Sequence, residues 1–193
     1  MLKNIVMFDK MDMMNGGRST MEKYIPDIYQ KSIYTIDYSK LLNRGIKCIL
    51  FDLDNTIVPP YSSEAPQKAK DLFTSLKQKG FKIIIFTNSP KIRLKGFMNF
   101  FGVDGVSSAC KPFTRKLRKL LNDYRYSVNE VAIVGDQLMT DIKVGNKVGI
   151  TTILVNPVCN KDFILTKIHR FSERRKMKKL RDHDLFWQGR YYD

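Results

Sequence analysis

The chain has 193 residues, 43% of them hydrophobic and 27% charged, which describes a globular protein long enough to bury the core of one α/β domain. The formal net charge of +15 is outside the ordinary range and points to an anionic partner or surface. The only histidines, His169 and His183, lie in the basic C-terminal stretch, so histidine-based acid–base chemistry and histidine-built zinc sites are excluded. Transmembrane helices are excluded as well, because no apolar run approaches the roughly 20 residues needed to cross a bilayer.

Residues 1–21 form a Met-rich N-terminal arm around Asn15-Gly16-Gly17, with no sustained period. Asp9 and Asp12 stand where a signal peptide would need an apolar core, and Met21 is an alternative native start. The Tyr-rich lead-in over 24–45, with Pro26, is expected to pack against a sheet edge. From Ile46 onward strand and helix alternate. The apolar runs predict strands near 47–52, 82–86, 106–108, 131–134 and 151–155, with helices over 65–79, 91–101, 113–125 and 138–147. Pro59-Pro60 and Pro66 rule out a helix directly after the first strand. Cys48 and Cys110 sit in or beside apolar stretches, and with Cys159 they show no disulfide or metal-ligand spacing. Buried, reduced thiols in a cytoplasmic protein are the expectation.

Between Lys161 and Arg181 there are nine Lys and Arg against only Asp162 and Glu173. Within that basic C-terminal segment, 159–193, the stretch Phe163–Leu180 sets Ile164, Ile168 and Phe171 on one helical face. A basic amphipathic helix suits an anionic membrane surface, a phosphate backbone, or packing against its own domain. Trp187, Tyr191 and Tyr192 offer either an interfacial anchor or a stacking platform for bases.

The chemistry gathers where apolar runs stop. Ile46–Phe51 ends in Asp52-Leu53-Asp54-Asn55-Thr56; Ile83–Phe86 ends in Thr87-Asn88-Ser89; a later segment carries Lys111-Pro112. Val131–Val134 ends in Gly135-Asp136, with Thr140-Asp141 just beyond. Open α/β sheets place their sites at the carboxyl ends of such strands. Two carboxylates there repel unless a cation compensates them. The arrangement suits phosphoryl transfer, with one Asp as nucleophile, the other as acid and base, and Mg2+ neutralising the phosphate. Thr87 and Asn88 are candidates to bind phosphoryl oxygens. Asn88 or Ser89 is equally a helix N-cap, with Pro90 at the first helical position.

These clusters, in this order, resemble the haloacid dehalogenase (HAD) superfamily, with motifs Asp-x-Asp-x-Thr, a strand-end Thr or Ser, a Lys and an acidic Gly-Asp cluster. The resemblance implies a Rossmann-like, three-layer α/β fold with a mainly parallel sheet. It also implies Asp52 as nucleophile, Asp54 as general acid and base, and Thr87 and Lys111 as catalytic phosphate ligands. Mg2+ is implied on Asp52, Asp136 and the backbone carbonyl of Asp54, with Asp141 supporting Lys111 or a bound water. The short gaps from Thr56 to Thr87 and from Thr87 to Lys111 leave no room for a cap domain, as in subfamily IIIA. Over residues 22–158, the phosphatase domain, the chain is similar to the YqeG-type branch, through Tyr24-Ile25-Pro26-Asp27-Ile28-Tyr29, Gly45-Ile46-Lys47 and Gly135–Asp141. That branch is similar to mitochondrial phosphatidylglycerophosphate phosphatases. The implied protein is peripheral on the inner membrane face and acts on a phospholipid headgroup. The alternatives are a phosphatase for nucleic-acid ends, nucleotides or a small metabolite, and an RNA- or ribosome-associated module working through its basic tail.

Overall fold

Apolar runs that do not alternate mark strands covered on both faces, and the longest such runs lie side by side in the middle of one sheet. The computed structural model describes residues 21–159 and 175–193. Its strands are β1 (Ile28–Gln30), β2 (Cys48–Phe51), β3 (Lys82–Phe86), β4 (Asp104–Val106), β5 (Val131–Gly135) and β6 (Thr151–Val155). The helices are α1 (Tyr38–Asn43), α2 (Gln67–Gln78), α3 (Lys91–Phe101), α4 (Arg115–Tyr124), α5 (Lys143–Val148) and a final helix, α6, over 175–182. All strand pairs are parallel, in the order β1-β6-β5-β2-β3-β4.

Successive side chains of β2 point to opposite layers. Ile49 and Phe51 join Ile83, Ile85, Phe73, Leu76, Phe97 and Phe101 under α2 and α3. Cys48 and Leu50 join Ile84, Phe86, Leu117, Leu121, Ile133 and Val144 under α4 and α5. The result is the three-layer, Rossmann-like α/β sandwich expected from the sequence. From β2 the chain steps outward through β3 to β4, then returns across the sheet to β5 and β6. β2 and β5 therefore flank the switch in direction, where crevices form outside the strand ends in open α/β sheets. Only a loop and α2 separate β2 from β3, and only α3 and β4 lie between β3 and Lys111, so no cap domain interrupts the core.

Register aligns the strand ends. Phe51 stands level with Ile85 and with Val134, and Asp52 N–H donates to the Val134 carbonyl at 2.9 Å. Asp52, Thr87 and Asp136 thus emerge along one rim.

Several elements differ from their sequence-based limits. The strand expected at 106–108 lies at Asp104–Val106. It carries no apolar run, and Gly105 lets it approach α3 closely: a Cβ there would lie 2.9 Å from Leu94 Cδ2 and 3.0 Å from Met98 Sδ. The helix expected over 138–147 divides into a π-helical turn, Leu138–Ile142, and α5. The lead-in does more than cover the sheet edge, because Ile28–Gln30 adds a strand beside β6. Asp27 fixes that register by accepting from the Thr152 N–H (2.8 Å) and hydroxyl (3.0 Å). Cys48 is buried as expected, but Cys110 is exposed: it sits in the irregular turn after β4 with φ 58°.

The N-terminal arm through residue 20 and residues 160–174 lie outside the described residues, and with them most of the expected basic amphipathic helix. Its described end packs inward: Leu180 is buried with Tyr24, Tyr29, Leu138 and Phe186, and Met177 lies against them. The chain end bridges β1, with Tyr29 N–H donating to Tyr192 O (2.8 Å) and Tyr192 N–H to Tyr29 O (2.9 Å). The Tyr191 and Tyr192 rings lie 4.9 and 6.4 Å from that of Tyr29, so both are engaged by their own domain. Among the described residues no helix is long and apolar enough to cross a membrane.

Candidate active site

Four chain segments converge where β2 and β5 end. Asp52 follows directly from β2 and is buried. Beyond it the chain turns sharply through Asn55, whose φ of 64° is a left-handed conformation that Asn tolerates better than most residues. Asn55 N–H closes the turn on the Val58 carbonyl at 2.8 Å. Lys111 reaches in from the loop after β4. Its side chain is 2% exposed, and its Nζ donates to Asp52 Oδ1 at 2.7 Å, Asp141 Oδ1 at 2.5 Å and the Phe86 carbonyl at 3.0 Å. All three ammonium donors are thereby used.

Asn88 holds this lysine from behind. Its Oδ1 accepts from Lys111 N–H at 2.8 Å, and its Nδ2 donates to the Lys111 carbonyl at 3.2 Å. The amide expected at the phosphate is thus engaged with backbone. Thr87 is buried at the end of β3, and its hydroxyl accepts from Ser89 N–H at 3.1 Å. Neither Asn88 nor Ser89 caps the next helix: the N-cap position falls to Pro90, and the Ser89 hydroxyl goes to Asp54 Oδ2 instead.

The other oxygen of Asp54 meets a residue that sequence reasoning missed. Arg93 donates to Asp54 Oδ1 from Nε (2.9 Å) and Nη2 (2.6 Å), and its Nη1 reaches the Ser62 carbonyl at 2.8 Å. Arg93 lies in the first turn of α3 and ties that helix to the loop after β2. Nothing distinguishes it in a chain with 34 Lys and Arg; its role appears only once β2 and β3 are adjacent.

Asp136, just past β5, is half-buried and accepts from the Thr56 hydroxyl at 3.4 Å. Asp141 is completely buried on the π-helical turn, and π turns recur at functional sites. Besides Lys111 it accepts from Gln137 N–H and the Thr140 hydroxyl, each at 3.3 Å. Gly135 makes this placement possible, because a Cβ there would lie 2.2 Å from Asp141 Cγ.

Carboxylate oxygens of Asp52, Asp136 and Asp141 lie within 4.8 Å of one another. The Asp54 side chain is outside that group. Burial opposes the Lys111 charge, but the facing Asp141 and Asp52 outweigh it and hold its pKa above the ordinary lysine value. Burial pushes the Asp141 carboxyl above its ordinary value; Lys111 pulls it back, and neighbouring Asp52 pushes it further up. Three carboxylates facing a single ammonium fit a hard divalent cation: the donors are all oxygen, and negative charge is in excess.

Comparison with known proteins agrees with this geometry. Residues 108–157 match the family described as HAD-hydrolase-like, and residues 18–93 match the family described as mitochondrial PGP phosphatase. Against the "Probable phosphatase YqeG" of Bacillus subtilis (strain 168) the chain is 33% identical over 158 residues, covering 82% of this chain and 92% of that protein. Against phosphatidylglycerophosphate phosphatase 1, chloroplastic/mitochondrial, of Arabidopsis thaliana it is 26% identical over 163 residues, covering 76% of this chain. The match spans only 45% of the Arabidopsis protein's length. A similar fold occurs in the 3-deoxy-D-manno-octulosonate 8-phosphate phosphatase of Moraxella catarrhalis, solved with magnesium ion, phosphate ion and a KDO molecule. That likeness, with a TM-score of 0.50 and 19% identity over 63% of this chain and 75% of that one, concerns the fold alone. Given a relative aligned along most of both chains and the acid–lysine cluster at the strand ends, this chain belongs to the HAD superfamily, in the group that includes YqeG, and is a hydrolase of phosphate monoesters.

Proposed function

We propose that the enzyme is an Mg2+-dependent phosphatase that works through an aspartyl-phosphate on Asp52 and removes the terminal phosphate of phosphatidylglycerophosphate. The observation that carries the mechanism is the Lys111 ammonium, 2.7 Å from Asp52 and 2.5 Å from Asp141 at the switch point of the sheet. The lipid substrate is supported by the match of residues 18–93, which hold Asp52, Asp54 and Arg93, to the mitochondrial PGP phosphatase family. A site without a cap is also open to a phosphate carried on something as large as a bilayer.

An Asp52 carboxylate oxygen attacks phosphorus. The new Asp52–phosphorus bond forms as the ester P–O bond breaks, and the departing alkoxide takes a proton from Asp54. Water then attacks the phosphoryl group, passes a proton to Asp54, and inorganic phosphate leaves Asp52. Ser89 and Arg93 hold Asp54 in place for both transfers. Lys111 orients Asp52 and balances phosphoryl charge, while the Thr87 hydroxyl and the adjacent Asn88 N–H receive phosphoryl oxygens. Asp52, Asp136 and the Asp54 carbonyl would hold Mg2+, with Asp141 beside them, and the cation would neutralise the phosphate's negative charge.

The test is a substrate panel in mixed micelles and in solution: phosphatidylglycerophosphate, nucleotides, phosphorylated nucleic-acid ends and sugar phosphates. Release of phosphatidylglycerol and inorganic phosphate at a kcat/KM well above the other substrates is expected. A nucleotide or nucleic-acid end turned over faster than the lipid would overturn the substrate, and phosphate trapped on a residue other than Asp52 would overturn the mechanism.

A further inference from the structure

Apart from the catalytic groups, the same rim carries an unusual surface. Among the described residues, the four most exposed large apolar side chains are Ile92 (92%), Phe113 (72%), Tyr61 (57%) and Val158 (49%). All four lie past the carboxyl ends of strands: Tyr61 after β2, Ile92 after β3, Phe113 after β4 and Val158 after β6. Single exposed apolar residues are commonplace. Four beyond the carboxyl ends of one sheet point to an interaction surface.

Each is tied to the site by a residue close to it in the chain or by its own backbone. Ile92 precedes Arg93, which holds Asp54; Phe113 lies two residues past Lys111, which holds Asp52. Tyr61 precedes Ser62, whose carbonyl receives Arg93. Val158 N–H donates to the Asn55 carbonyl at 2.8 Å, in the turn that follows Asp54. The loops carrying Ile92 and Phe113 are stitched together, with Ser108 N–H donating to the Ser89 carbonyl at 2.9 Å beside the paired Asn88 and Lys111. The inward-facing neighbours thus serve the reaction, while these side chains face solvent.

The charge around them selects the partner. Lys91, Lys95 and Arg115 are exposed beside Ile92 and Phe113. From Thr87 to Lys119 the only acid in the sequence is Asp104. Apolar and aromatic side chains flanked by cations match the boundary between anionic headgroups and acyl chains. A protein partner buried on this face would leave those cations to be matched by acids, whereas an anionic bilayer supplies charge wherever they fall.

We propose that Tyr61, Ile92, Phe113 and Val158 insert into the surface of an anionic lipid bilayer, with Lys91, Lys95 and Arg115 on its headgroups, so that the open mouth of the site is seated on the membrane. This surface is formed by the catalytic-end loops and is separate from the basic C-terminal segment. It deepens the lipid-phosphate reading and rests on it for its purpose, though not for its measurement.

The experiment compares wild type with Ile92→Glu/Phe113→Glu and with Lys91→Glu/Lys95→Glu, all full-length. Partitioning is measured onto vesicles of phosphatidylcholine with about one-third phosphatidylglycerol, alongside turnover of soluble p-nitrophenyl phosphate. The apolar double variant should lose about 100-fold in partitioning, since each buried side chain contributes at least roughly tenfold. The charge variant should lose about tenfold or more, and wild-type binding should fall with salt. Soluble turnover should stay within about twofold in both. A second measurement leaves the rim intact: an environment-sensitive fluorophore on exposed Cys110, in a Cys159→Ser background, should shift to the blue on vesicles. The proposal is overturned if wild type does not bind, if both variants bind within about twofold of it, or if the Cys110 probe is unmoved by vesicles. It is equally overturned if wild type is a dimer in sedimentation that the apolar variant dissolves, since the face then belongs to a second copy. If the rim proves necessary for vesicle binding but wild type fails to hydrolyse phosphatidylglycerophosphate in micelles, the docking surface stands and the substrate assignment falls.

Discussion

Lys111→Met removes the ammonium that joins Asp52 to Asp141 and leaves its shape nearly filled. The lysine side chain is 2% exposed, Asp52's is 9% and Asp141's is 1%, so solvent cannot take over the lost charge. Removing one partner of a buried pair typically costs about 3–5 kcal/mol. The two stranded carboxylates can relieve part of this by binding a proton, at about 1.4 kcal/mol for each pH unit above the ordinary aspartate value near 4. That caps the penalty for protonating one carboxyl at about 5 kcal/mol at pH 7.5 and lowers it to about 1.5 kcal/mol at pH 5. For a chain of this length, about 3–5 kcal/mol corresponds to a fall in Tm of roughly 6–20 °C, shrinking as the pH is lowered. Thermal unfolding by circular dichroism in EDTA, at both pH values, reads this directly. Adding Asp141→Asn to Lys111→Met should recover about 1–3 kcal/mol, because neutralising the acid removes the reason for the penalty. A Tm within about 2 °C of wild type at pH 7.5, or strictly additive effects in the double variant, would refute the buried-triad argument.

Arg93→Ala should lower kcat toward p-nitrophenyl phosphate by about 100-fold by freeing Asp54. Arg93→Lys should restore little, since a lysine cannot place two donors on one oxygen; unchanged kcat in the alanine variant would remove Arg93 from the site. Gly135→Ala forces a Cβ to within 2.2 Å of Asp141 Cγ, so Tm should drop by the equivalent of about 1–3 kcal/mol and activity with it. Chelation by EDTA should abolish activity and Mg2+ should restore it, whereas Zn2+ should not, because the ligand set is all oxygen; full turnover in a metal-stripped sample would argue against a cation at these acids. Burial pushes the Cys48 thiol up to about 12, so in the native protein at pH 8 a maleimide should label Cys110 rapidly and Cys48 only on unfolding. Above the ordinary thiol range the unfolded chain releases that proton while the native one keeps it, so stability should fall as pH rises toward 12, as an alkaline unfolding titration would show.

The central sheet and the acids that gather at its rim were legible in the chain because both are local signals. A strand buried on both faces must be apolar throughout, and a carboxylate ending such a run stands out, as Asp52 does after Phe51 and Asp136 does after Gly135. Three-residue strands carry no such mark: β1 and β4 exist because a neighbour offers an edge, and Gly105 is informative only once α3 lies against it. Likewise, one arginine among many becomes the partner of Asp54 only when α3 and the loop after β2 meet. Asp141 was visible as an acid, but its burial against Lys111 depends on a π-helical turn and on a glycine beside it. The exposed ring of Ile92 and Phe113 was equally hidden, since apolar residues in sequence read as core. Residue type determines what a side chain can do chemically, whereas its surroundings are set by segments distant along the chain, and here the register of parallel strands brought those segments to one rim.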